Sequence, residues 1–102
     1  MSTNNTYLAV FLGGKASPRR VAWKAWVENH NGAIVGMGGP LGKTKKVTQR
    51  GIEDTSNDMG AFIIVLADSH EAAAKLFEQH PHFSVFPGER VEIMPVLPIP
   101  GT

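Results

Sequence analysis

Two short segments are apolar at every position: Tyr7-Leu8-Ala9-Val10-Phe11-Leu12 and Phe62-Ile63-Ile64-Val65-Leu66. Their length, the glycines after the first and the β-branched content of the second read as strands rather than helices. Successive side chains on a strand point to opposite faces. Both faces of these strands are therefore apolar. A sheet that shows one face to water alternates apolar and polar residues instead. Whatever the rest of the chain builds must cover this sheet on two sides.

The remaining segments supply one cover. Gly13-Gly14 closes the first strand, and Ser17-Pro18 reads as a helix start. Ala22, Trp23, Trp26, Val27 and His30 recur at helical spacing, and Gly32 suits the helix stop. Residues 33–37 read as a second strand, broken by Gly38-Gly39-Pro40-Leu41-Gly42. A polar stretch over 43–59 is long for a connection unless it forms a hairpin or carries function, and 45–49 fits a short strand. After the strand at 61–67, Asp68 precedes Glu71 at capping-box spacing, with Ser69 as the other candidate cap. The second helix runs to about residue 79 and buries Ala73, Leu76 and Phe77. Pro81 disfavours helix at His80, and Phe86-Pro87-Gly88 is a turn. In a last strand over 91–96, Val91 and Ile93 share one face, while Glu92 and Met94 share the other.

The order β-α-β, long connection, β-α-β predicts an α+β fold. It is a ferredoxin-like βαβ-βαβ antiparallel sheet with two helices on one face. Two helices leave the second face open. The simplest cover is the same sheet from a second copy, which predicts a C2 homodimer.

Residues 1–102 are expected to form one domain, with tails at 1–5 and 97–102. The net charge of +1 argues against a nucleic-acid partner and against a polybasic membrane surface. The absence of cysteine excludes disulfides, thiolate catalysis and cysteine-held metal. No signal-peptide pattern and no run long enough to span a membrane is visible, so a cytoplasmic location is expected.

The second half resembles a known family. The carriers are Phe62-Ile-Ile-Val-Leu-Ala-Asp-Ser-His-Glu-Ala-Ala, His80-Pro-His-Phe, and Phe86-Pro-Gly-Glu-Arg-Val-Glu-Ile-Met-Pro-Val. They are similar to the YCII-related family in strand-helix-X-Pro-aromatic-strand layout. The first half resembles it in layout, with a strand running into Gly-Gly-Pro at 38–40. The resemblance spans about residues 6–98. It implies a dimeric α-β barrel and, for some members, cofactor-free acid–base chemistry by a His–Asp pair, including dehydrochlorinase-type steps. This chain departs at both positions. Counting back from Gly38-Gly39-Pro40, the helix histidine falls near Ala22 or Trp23, and the aspartate position is His80. The resemblance thus carries over a location, the His80-Pro81-His82 turn, without its chemistry.

His80 and His82 are the candidate catalytic residues, since imidazole titrates near neutrality. Two histidines at i and i+2 in an extended segment could also face the same way and share a metal, the weaker version of the reading, since a metal site needs three or four ligands. The structural alternative is a histidine at a helix end and another packed in a turn. His70 and His80, at the two ends of the second helix, would lie about 15 Å apart and could not share an ion, so no metal is expected. Phe86, Met37 and Arg19 are the candidate ligand-binding residues. The stretch 38–44 is not a phosphate-binding loop, because Met37 stands where the first glycine belongs. Lys15, Arg19 and Arg20 around the first helix, and Lys43, Lys45, Lys46 and Arg50 beside Glu53, Asp54 and Asp58, read as solvated surface. Trp23 and Trp26 share a helix face and read as core or dimer contacts.

Two functions follow. One is a cofactor-independent acid–base enzyme of lyase, dehydrochlorinase or isomerase type, acting on a small organic molecule, with His80 moving the proton and His82 orienting His80 or the substrate. The other is a non-catalytic small-ligand-binding or dimeric assembly module that has lost the family His–Asp pair.

Overall fold

The computed structural model describes residues 5–13, 20–86 and 88–99; for 20–23, 84 and 85 it describes the backbone alone. The elements in chain order are β1 (Asn5–Leu12), α1 (Arg20–Asn29), β2 (Ile34–Pro40), β3 (Thr44–Thr48), β4 (Gly51–Thr55), β5 (Met59–Ala67), α2 (His70–Lys75), α3 (His82–Val85) and β6 (Val91–Pro95). The expected helix start at Ser17-Pro18 lies outside the described residues.

The two wholly apolar segments become the two central strands. The sheet order is β2-β5-β1-β6, and every neighbouring pair is antiparallel. Leaving out the β3–β4 hairpin, this is the ferredoxin-like α+β arrangement. Tyr7 pairs with Val65, Ala9 with Ile63 and Phe11 with Ala61. These six side chains form one face, and Trp26 of α1, Ala73 of α2 and Phe77 pack on it. Ile34 of β2 and Val91 and Ile93 of β6 border the same core. Glu92, between the last two, is exposed, as the alternation requires.

The other face carries Leu8, Val10, Phe62, Ile64 and Met94, since Val10 pairs with Phe62 and Leu8 with both Ile64 and Met94. Val10 is buried, Leu8, Phe62 and Ile64 are half-buried, and Met94 is exposed. None of these residues belongs to the core that the helices cover.

Several boundaries differ from expectation. β2 does not stop at residue 37. It continues through Gly38 and Gly39 to Pro40, because two register shifts against β5 absorb the extra residues. Gly38 has φ +60, and a Cβ there would run into the Phe62 carbonyl oxygen. Gly32 is not a left-handed stop; it sits in a 3-10 turn, Asn31–Ala33, that leads directly into β2. The cap of α2 is Ser69, whose Oγ accepts the Ala72 N–H at 3.0 Å, so the Asp68 box does not form. α2 ends at Lys75, and turns carry the chain on to residue 79. The polar stretch holds the β3–β4 hairpin, in register Lys45↔Asp54, Lys46↔Glu53 and Val47↔Ile52.

Replacing Gly38 by alanine forces a side chain into a left-handed backbone against β5. It should cost about 2 kcal/mol or more in urea unfolding. Gly42→Ala, where nothing lies within 4 Å of the new Cβ, should shift stability by less than about 0.5 kcal/mol.

Candidate functional site

The His80-Pro81-His82 turn is interior. His80 is 1% exposed and His82 5%. The segment is not extended: His82 opens α3, and the Phe86 N–H closes that turn on the His82 carbonyl at 2.9 Å. This replaces the geometry in which the two rings faced the same way from a strand-like stretch.

The His80 ring is held by aromatics, with centroids 4.6 Å from Phe11 and 4.5 Å from Trp26. Its Nδ1 accepts the backbone N–H of His82 at 2.9 Å. A neutral ring that accepts there carries its proton on Nε2. Burial, then the His82 imidazole, then that of His30, lower its pKa from the ordinary 6.5 to about 3. His80 is therefore an uncharged, weakly basic ring at neutral pH. The His82 ring donates from Nε2 to the Leu12 carbonyl at 2.9 Å, tying α3 to the end of β1. It stands 5.4 Å from Phe11 and 5.3 Å from Phe86.

The other two histidines are engaged in the same manner. His30 Nδ1 donates to the Trp26 carbonyl at 2.8 Å, and its ring stacks on Trp26 at 4.3 Å. His70 Nε2 donates to the Ile93 carbonyl at 2.7 Å and stacks on Tyr7 at 5.4 Å. Three imidazoles thus satisfy main-chain carbonyls, and the fourth accepts a main-chain N–H. The sequence signals for this were slight. Only the His30–Trp26 spacing of four, on one helix, announced a partner.

Of the remaining candidates, Phe86 and Met37 are described. Phe86 is half-buried beside His82. Met37 is 64% exposed on β2, and β5 separates that strand from β1. Arg19 lies outside the described residues, as does Lys15, and the side chains of Arg20 and Trp23 are not described. Trp26 is buried in the core, as a core tryptophan should be. Among the described residues, no three His, Asp or Glu side chains come together as a metal site would need.

A hollow of about 300 Å³ opens elsewhere, lined by Gly32, Ala33, Leu66, Ala67, Asp68, Ala72 and Leu76. It lies where the 3-10 turn and α2 meet the end of β5. Apart from Asp68, its lining residues are glycine, alanine and leucine. Among the described residues, no helix is long and apolar enough to cross a membrane.

These features define a ferredoxin-like α+β protein whose histidines are built into the fold. Among solved structures, the chain is similar to 5-chloro-2-hydroxyhydroquinone dehydrochlorinase (TftG) from Burkholderia phenoliruptrix AC1100, in complex with 2,5-dihydroxybenzoquinone. The TM-score is 0.50 at 23% identity, over 85% of this chain and 90% of that one. The likeness is one of fold. No family model matches the chain, and no curated protein does.

The His80 ring has a pH signature. Its folded pKa lies below its unfolded value, so between about 3 and 6.5 the unfolded chain binds the extra proton. The contribution to stability is complete above pH 6.5 and is lost as pH falls toward 3. Urea unfolding should show stability declining more steeply over that interval in the wild type than in His80→Asn. The His80 ring should keep its neutral NMR shifts at pH 5.

Proposed function

We propose that the chain is a distant YCII-related protein that works as a homodimer and binds a small organic molecule, without using the His80-Pro81-His82 turn for proton transfer. The observation that carries this reading is the engagement of both rings. A catalytic base needs a pKa near the working pH and a free path to substrate. His80 sits at about pKa 3 behind Phe11 and Trp26, and His82 spends its Nε2 proton on Leu12. The homodimer follows from the apolar outer face of β1 and β5, which the helices leave uncovered.

The second reading is a cofactor-independent acid–base enzyme of lyase, dehydrochlorinase or isomerase type. The likeness in fold to a dehydrochlorinase favours it, although one fold hosts many chemistries. In that reading the turn opens on binding. His80 transfers the proton, His82 orients it, and Phe86, Met37 and Arg19 contact the substrate.

Three measurements separate the readings. Sedimentation at micromolar concentration should show a dimer; a monomer would sink the homodimer. Titration with 2,5-dihydroxybenzoquinone, followed by tryptophan fluorescence, should saturate equally in wild type and His80→Asn; no binding in either removes this ligand class. Chloride release from 5-chloro-2-hydroxyhydroquinone should not exceed the buffer rate. Release that falls about 100-fold in His80→Asn would establish the second reading instead.

A further inference from the structure

The hairpin has no apparent reason to be stable alone. β3 and β4 pair with each other and stand outside the four-stranded sheet. Every residue of the two strands except Thr44 is exposed. An isolated two-stranded hairpin is marginal in water. This one nonetheless sets an apolar cross-strand pair, Val47 opposite Ile52, at 73% and 70% exposure. Side chains two apart share a strand face, so Lys45 and Asp54 lie on that same face, joined by an ion pair at 2.6 Å. Lys46 and Glu53 pair on the opposite face at 3.2 Å. Lys43 and Arg50 have no carboxylate partner among the described residues, and the hairpin region is left basic.

The outer face of the main sheet has the complementary character. Leu8, Phe62, Ile64 and Met94 are only partly covered. The edge strand beside them offers glycines: Gly39 has nothing within 4 Å of a would-be Cβ, and Gly36 lies directly against Ile64. At the end of this face Arg90 meets three acids, Glu92 at 2.8 Å, Asp58 at 3.4 Å and Glu89 at 3.8 Å. One base among three acids leaves that border acidic.

We propose that the β3–β4 hairpin is a dimer clasp, its Val47–Ile52 face packing on the outer sheet face of a second copy of this chain, with Lys43 and Arg50 meeting the acidic border there. The inference rests on the homodimer proposed above and adds the element that closes it. A second copy fits as occupant because each chain carries both halves of the contact, so a two-fold axis makes it twice. Charge matches charge and apolar surface matches apolar surface across it.

Sedimentation velocity over a dilution series tests this. Val47→Ser/Ile52→Ser removes the apolar pair from an element outside the sheet, and circular dichroism should show the fold retained. The dimer dissociation constant should rise about tenfold or more. Lys43→Glu/Arg50→Glu leaves the apolar pair intact and should weaken the dimer at low salt, with the loss shrinking at high salt. A wild-type dimer that neither variant weakens overturns the clasp while leaving the homodimer standing. A wild-type monomer overturns both. Binding of some other protein by the hairpin, with dimer affinity unchanged, also overturns the clasp.

Discussion

The structure depends on the antiparallel pairing of β1 with β5. Eight residue partners, from Asn5↔Ala67 to Leu12↔Met59 with one register shift after Phe11, join the two least polar stretches of the chain at the centre of the sheet. Because a strand shows alternate side chains to alternate faces, a single ladder creates two apolar surfaces at once. The helices resolve one of them. Trp26, Ala73 and Phe77 complete a core around Phe11, Ile63 and Val65. The other surface stays partly open, and the homodimer and the clasp are both consequences of that imbalance. Burying it is favourable at roughly 25 cal/mol per Å², whereas leaving it in water invites unspecific association.

Burial also decides what the histidines can do. An imidazole is useful for proton transfer because its two forms are close in energy near neutrality. Packing His80 between Phe11 and Trp26 removes that balance by penalising the charged form, and the neighbouring His82 and His30 add to the penalty. What is gained is structural. The neutral ring accepts the His82 N–H at the start of α3, where a helix otherwise leaves its first donors unsatisfied. His82 then reaches across to Leu12 at the end of β1. One polar contact closes the turn on itself and the other joins α3 to the central strand, both beside an apolar core where polar atoms without partners are expensive.

Periodicity made the architecture legible. The two apolar runs, the strand at 91–95 with Glu92 turned outward, and the segment from α2 into the following turn that buries Ala73 and Phe77 all follow from which faces must be dry. The sequence was less informative where glycine or a turn controls the outcome. Gly38-Gly39-Pro40 reads as a break, yet bulges against β5 let the strand continue, and only the pairing partner reveals that. Asp68 and Ser69 are both good caps, and the choice between them depends on where the chain leaves β5. The candidate site was legible as a place but not as an environment. Pattern shows that His80 and His82 flank a proline; it does not show that Phe11, far away in sequence, packs on both rings and Trp26 on that of His80. The hollow at Asp68 joins three elements and left no local trace.

The hairpin shows how the same logic extends beyond one chain. Within the sheet, each strand is stabilised by a neighbour and by a face that leaves water. β3 and β4 have the neighbour but lack the face. Their ion pairs, Lys45–Asp54 and Lys46–Glu53, are solvent-exposed, and such pairs contribute little, at most about 1 kcal/mol each. Cross-strand packing of Val47 on Ile52 adds a similar amount. These contributions fix the register of the hairpin but do not explain an apolar pair presented to water. A surface supplied by a second copy does, and the partly covered side of β1 and β5 is a surface of the required kind.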